Sequence, residues 1–333
     1  MNLKMANPIA PWKKILRTNF TDVDKLATFL EMDEVIKLEL LNKPKFSLNL
    51  PLRLASKIKK NDLNDPIFKQ FVPLNEELKI TNGFLKDPVG DINCKSSAKL
   101  LHKYEGRVLL VTTSACAMHC RYCFRQNFDY ETMTGFLFTE ELKLIAEDDT
   151  IQEVLLSGGD PLSLSNEVLK NLIFNLSNIP HVKRLRFHSR FPIGIPERID
   201  EEFIEIIQNS NCQIYFVLHV NHPNELDEAI YSAVKKLQKA HAIVLNQSVL
   251  LFGVNDDVDT LVNLSNCLID NGILPYYLHQ LDRVQGAAHF EVSEEKGLHL
   301  IAMMSKKLPG YAVPKYVREI EGQASKTPIQ API

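Results

Sequence analysis

The stretch CAMHCRYCFR places Cys116, Cys120 and Cys123 within ten residues, at spacings of four and three. In a reducing compartment, cysteines this close together more often bind metal than form bridges. Four thiolates close the shell of a structural zinc ion or of an ordinary iron–sulfur cluster. Three leave one metal position open, and an open position can bind a second molecule and react with it. A zinc ion completed by His119 would use the same loop. Structural zinc sites, however, draw on two separated ligand pairs, and the other cysteines, Cys94, Cys212 and Cys267, are scattered singly. The pattern therefore favours a [4Fe–4S] cluster with one open iron, with zinc as the alternative. The scattered three read as small buried apolar residues.

Elements must hold that loop. From residue 107 the chain alternates apolar β runs with amphipathic helical patterns: RVLLVTT before TEELKLIAED, EVLLSGG before SNEVLKNLIFNL, RLRFHS before DEEFIEIIQNS. QIYFVLH, AIVLNQSVL and ILPYYLHQ open three more units of the same kind. Six successive strand–helix units predict parallel, right-handed crossovers and a curved sheet or incomplete barrel, with chemistry at the carboxyl ends of the strands. Before them, TDVDKLATFLEM and DEVIKLELLNK read as capped helices, and Pro51, Pro66, Pro73 and Pro88 mark extended connections. The expected organisation is a helical, irregular extension over 1–100, the α/β barrel over 101–310 and a C-terminal segment over 311–333. The charge of −3, from 38 basic and 41 acidic residues, offers no cationic face to a nucleic acid. No apolar run is long enough for a signal-peptide core or a membrane span, so a soluble, cytoplasmic protein is expected.

Other candidates sit at strand ends. Ser157, Gly158, Gly159 and Asp160 form SGGDP, good material for a strand-to-helix turn. Ser189, Arg190, His219 and Gln247 occupy similar positions and read as lining residues or as satisfied polar groups. Lys326 lies in a polar loop, where a lysine by itself is a solvated charge.

CxxxCxxC after the opening strand of such a barrel resembles the radical S-adenosylmethionine (SAM) superfamily. The resemblance implies that the open iron chelates SAM and that SGGDP contacts its methionine end. Lys326-Thr327-Pro328 narrows this to the lysine 2,3-aminomutase branch, which the chain resembles from about Pro51 to Ile329, through HSRFPIGIPERI, HVNHPNE, NQSVLLFGVND and LDRVQGAAHF. The implied fold is a partial (β/α)6 barrel with a helical N-terminal extension and a short segment carrying a lysine for pyridoxal 5′-phosphate (PLP). By position, Lys326 corresponds to the Schiff-base lysine, and Lys103, Tyr104 and Arg107 to PLP contacts. Arg125 corresponds to the clamp on the substrate α-carboxylate. Asp282 and Glu319 correspond to the carboxylates that hold a distal ammonium, although the free-lysine enzymes have Asp at the second position. The chain ends seven residues after Lys326, Gln126 stands where arginine is common, and CRYCFR replaces the CRHC of the free-lysine enzymes.

Those departures resemble the members of the branch that serve elongation factor P, converting (S)-α-lysine to (R)-β-lysine for attachment by a separate ligase. L-Lysine and a flavodoxin- or ferredoxin-type electron donor are the implied partners, with room for a homo-oligomer. A free-lysine or glutamate-type aminomutase, a non-enzymatic iron–sulfur carrier and a scaffold for elongation factor P are the rival readings.

Overall fold

The computed structural model describes residues 10–130, 135 and 137–330, so the outermost parts of the expected first and last segments (1–9 and 331–333) lie outside the described residues. Among these residues nine strands form one sheet in sequential order. They are β1 (Leu100–Tyr104), β2 (Arg107–Thr113), β3 (Glu153–Gly158), β4 (Arg184–Ser189), β5 (Gln213–His219), β6 (Ile243–Val249), β7 (Leu274–His279), β8 (Lys315–Arg318) and β9 (Thr327–Pro328). Strands β2 to β8 are parallel, and β1 and β9 flank them as antiparallel edges. The sheet is not closed into a barrel. The expected six units are present. The opening strand of the first unit is preceded by β1, and β8 and β9 extend the far edge.

Five short helices come first: α1 (Pro11–Leu16), α2 (Val23–Phe29), α3 (Glu34–Glu39), α4 (Leu52–Ala55) and α5 (Pro66–Phe71). The crossovers carry α6 (Thr139–Glu147), α7 (Asn166–Ser177), the short α8 (Phe191–Gly194) with α9 (Glu201–Gln208), α10 (Glu228–Lys239), α11 (Val258–Ile269) and α12 (Glu294–Lys307). Local chemistry starts them. Asp22, Asp33, Ser165, Asp200, Asp227, Asp257 and Ser293 each accept a backbone N–H in the first turn of the helix that follows. No helix among the described residues is long and apolar enough to cross a membrane.

Period-two alternation divides each strand between two faces. In β4, Leu185 and Phe187 are buried toward the core, while Arg184, Arg186 and His188 face a cavity of about 760 Å³. A closed barrel of this kind fills its interior with branched apolar side chains. Here the inner rows mix charged side chains such as Arg107, Glu153 and Arg186 with Leu109, Leu155 and Leu245, and the interior is a chamber.

The N-terminal helices belong to the same core. Trp12, Leu54 and Phe68 share one buried cluster with Phe187 and Leu218, and Trp12 meets Phe191 edge-on at 5.5 Å. This region also grips the cysteine loop. Asn19 Nδ2 donates to the Ala117 carbonyl (2.7 Å) and Asn49 Nδ2 to that of Cys116 (3.0 Å). The His119 N–H donates to Asn49 O (2.9 Å), and the Arg121 N–H to Gln70 O (2.9 Å). The buried Arg121 guanidinium forks onto Glu77, its Nε 2.8 Å from Oε1. The expectation that Cys94, Cys212 and Cys267 are buried holds for Cys212 alone; the other two are partly exposed.

Removing one partner of a buried ion pair strands the other charge. Glu77→Gln should cost about 3 kcal/mol of stability, read as a lower urea midpoint. An unchanged midpoint would mean that this pair does not brace the loop.

Candidate active site

Cys116, Cys120 and Cys123 leave β2 on a loop and line one wall of the chamber. Burial pushes the Cys116 thiol well up, with Asp160 and the other two cysteines adding to it. Burial and Cys120 push Cys123 up to about 11. Three thiolates this close would repel one another, and a bound cation reverses that logic. Among the described residues no three His, Cys, Asp or Glu side chains converge as a site for a single metal ion.

Beside the loop, β3 ends in SGGDP. Gly158 has φ +108°, and a Cβ there would strike the Val111 side chain; a Cβ on Gly159 would strike the Ala115 carbonyl. Only glycine lets this turn lie against the cysteine loop. The Gly159 and Asp160 N–H groups donate to Thr113 O (2.7 Å) and Ala115 O (2.8 Å). The buried Asp160 carboxylate accepts from Ser189 Oγ (2.9 Å) and from the N–H groups of Leu162, Arg190 and Phe191. Asp160 and Ser189 thus line the chamber while bonding to each other and to the turn. His219 Nε2 lies 3.1 Å from the Tyr122 hydroxyl, and Gln247 lies on the inner face of β6.

The remaining candidates meet where the sheet stays open. Asp91 Oδ2 accepts from Arg125 Nε (2.7 Å), and Asp91 Oδ1 pairs with Lys103 Nζ (2.7 Å). Lys103 Nζ lies 3.7 Å from Glu319 Oε1, which also accepts from the Tyr104 hydroxyl at 2.5 Å. Glu319 Oε2 accepts from Lys326 Nζ at 2.8 Å. Arg107 stacks over the Tyr104 ring at 4.5 Å. Charges therefore alternate from Arg125 through Asp91, Lys103 and Glu319 to Lys326. Burial opposes ionisation of Glu319, but Lys326, Tyr104 and Lys103 together hold it below the usual carboxylate range. Lys326 reaches this place because β9 pairs with β8, Thr327 opposite Arg318.

Asp282 lines the same chamber beside this chain. Burial pushes its carboxyl up to about 6, with Lys326 opposing and Glu319 adding to the shift. The two expected carboxylates are thus unlike: Glu319 is paired with Lys326 and held ionised, whereas Asp282 is shifted toward its neutral form.

Sequence reading missed Asp91, which carries no motif and acts only through long-range pairing. It also missed His188 and His279, whose Nε2 atoms are buried without a partner on the chamber wall. Burial holds both imidazoles neutral, well below their ordinary range, with nearby cations adding to it. The signal for His188 was available: in RLRFHS, Arg184, Arg186 and His188 alternate onto one face of the strand.

The radical SAM superfamily model matches residues 110–264. The chain is 41% identical over 319 residues to the L-lysine 2,3-aminomutase of Haemophilus influenzae, covering 95% of this chain and 94% of that protein. It is 48% identical over 232 residues to the Escherichia coli protein of that name, covering 69% and 68%, and 37% identical over 233 residues to the Clostridium subterminale protein, covering 69% and 56%. The chain belongs to the radical SAM lysine 2,3-aminomutase family. Membership in that family implies an iron–sulfur cluster and SAM. The clustered thiols fit the first, and the Gly158–Gly159 turn packed against their loop lines the same chamber, where a ligand beside the thiols would sit.

The raised Asp282 sets a pH signature. Folded Asp282 keeps its proton to about pH 6, whereas the unfolded side chain releases it near 3.8. The ligand-free fold therefore loses stability as pH rises through that window, about 3 kcal/mol at roughly 1.4 kcal/mol per pH unit. Asp282→Asn should raise the thermal midpoint at about pH 8 and leave it unchanged at about pH 3. Equal midpoints for variant and wild type at both pH values would show that this carboxyl is not strained by burial.

Proposed function

We propose that the protein is a radical SAM, PLP-dependent isomerase that moves the amino group of L-lysine from C2 to C3, giving (R)-β-lysine for the modification of elongation factor P. The observation that carries this reading is Lys326, whose ammonium lies in the chamber that the three cysteines line. The lysine named for the relatives supports the substrate, and the likeness of CRYCFR and SKTP to the elongation factor P branch supports the physiological role.

In this reading Cys116, Cys120 and Cys123 hold the cluster, and Lys326 holds PLP with Lys103, Tyr104 and Arg107 around it. The cluster and SAM supply radical hydrogen abstraction when bound, and PLP supplies a conjugated ring over which an unpaired electron spreads. The chain itself binds, orients and excludes water. Gly158, Gly159 and the neighbouring Ser157 and Asp160 shape the SAM wall, with Ser189, Arg190, His219 and Gln247 alongside. Arg125 clamps the substrate carboxylate, its Nε anchored on Asp91 so that the guanidinium keeps one orientation. Asp282 and Glu319 receive the distal ammonium. His188 and His279 stay neutral and offer no proton to a reaction that needs no general acid. A flavodoxin- or ferredoxin-type donor would supply the electron, and a lysyl ligase would use the product.

Anaerobic reconstitution with iron, sulfide, PLP and SAM should yield (R)-β-lysine from L-lysine on chiral analysis. Lys326→Ala should lose the borohydride-trappable PLP label while keeping its iron. Asp282→Asn and Glu319→Gln should each lower lysine turnover by about a hundredfold, since an unpaired buried charge costs about 3 kcal/mol at roughly 1.4 kcal/mol per decade. Norleucine, which lacks the distal charge, is the control. If wild type and both variants treat the two amino acids alike, the carboxylates do not read an ammonium and lysine is not the substrate.

A further inference from the structure

A second buried polar assembly lies beside the cysteine loop, and none of its members is among the residues proposed to hold lysine or PLP. Its centre is Arg190, which directly follows β4. Arg190 Nη2 donates to Glu225 Oε2 (2.6 Å) and to Gln70 Oε1 (2.6 Å). Nη1 donates to the Tyr122 hydroxyl and lies 2.9 Å from Cys120 Sγ. The partners are themselves tied together. Gln70 Nε2 donates to Glu225 Oε1 (3.1 Å), and Asn221 Nδ2 to Gln70 Oε1 (3.0 Å) and the Tyr122 hydroxyl (2.6 Å). Phe71 closes the remaining face, its ring 4.5 Å from the guanidinium. Gln70, Asn221 and Glu225 are fully buried.

A guanidinium held this way cannot swing. Glu225 neutralises its charge, and the planar fork fixes the direction of the N–H groups. We propose that Arg190 is a positioning residue that donates a hydrogen bond to the Cys120 thiolate of the cluster and raises the cluster's reduction potential. The proposal rests on the reading of Cys120 as a cluster ligand. Reduction brings one electron from a low-potential donor to the cluster, with no bond made or broken and no proton moved. The added negative charge spreads onto the sulfurs, so an N–H donor there stabilises the reduced form more than the oxidised one. The burial of Gln70, Asn221 and Glu225 around the donor strengthens the effect. Gln70 lies on α5, so the N-terminal region takes part in holding the donor.

The test uses the reconstituted protein and an EPR-monitored dithionite titration. Two variants are informative: Arg190→Lys, which keeps a cation opposite Glu225, and the pair Arg190→Gln with Glu225→Gln, which removes the buried charges together. Each should bind iron as wild type does, yet shift the one-electron reduction equilibrium about tenfold toward the oxidised cluster, ~59 mV lower. A purely structural role would lower the cluster content and leave the midpoint of the loaded fraction where it was. A wild-type midpoint in variants with full iron overturns the proposal. Should both variants fail to fold, pulsed EPR of the reduced wild-type protein carrying ¹⁵N-arginine decides the matter: a nitrogen coupling is expected, and its absence overturns the proposal. Cys120→Ala separates the two levels. Full iron in that variant would remove the ligand reading itself, whereas loss of iron there with unchanged Arg190 midpoints removes only the present inference.

Discussion

Glu319 accepts a hydrogen bond from Tyr104 on the first strand of the sheet and another from Lys326, which directly precedes the last. The edge strands β1 and β9 share no backbone ladder with each other, since the sheet runs from one to the other without closing. Side chains therefore bridge the opening. Edge strands normally leave unpaired backbone groups that invite association. Here the gap is where the charged chain from Arg125 to Lys326 assembles, so the open sheet and the charged wall of the chamber are one design.

That arrangement has an energetic consequence. A buried ion pair is weak evidence of stability, because the desolvation cost rivals the attraction. The value of Arg125–Asp91–Lys103–Glu319–Lys326 lies in orientation: each charge fixes the next, and both outermost members face the chamber. Asp282 shows the complementary state. It sits half-buried with its pKa raised, a cost to the ligand-free protein above about pH 6.

The cysteine loop is held from outside its own unit. Asn19, Asn49, Gln70 and Glu77 all lie before residue 100, yet each bonds to the stretch from Cys116 to Arg121. The expected boundary near 100 marks a change in sequence texture, while the main hydrophobic cluster runs from Trp12 through the barrel helices without a break. Loops that carry function need a rigid support, and here the N-terminal helices supply it.

The sequence alone determined the elements and the chemistry of the loop. Period-two and helical periodicities marked the six units, because burial on one face leaves a local imprint. The cysteine spacing and the glycines of SGGDP were legible for the same reason: both are constraints on neighbouring residues, the glycines through close packing and the positive φ of Gly158. The likeness to the aminomutase branch gives Arg125, Asp282, Glu319 and Lys326 expected roles at the substrate and PLP, and the fold lines one chamber with all four. Tertiary structure decided what depends on pairing across long separations. Asp91 gains its place only when Lys103 and Arg125 converge on it, and Arg190 its direction only when Gln70 and Glu225, 155 residues apart, meet around it. Lys326 enters the chamber only because two residues of β9 pair with β8. Such contacts leave no periodic trace, since their free energy comes from desolvating groups that the chain keeps far apart until it folds.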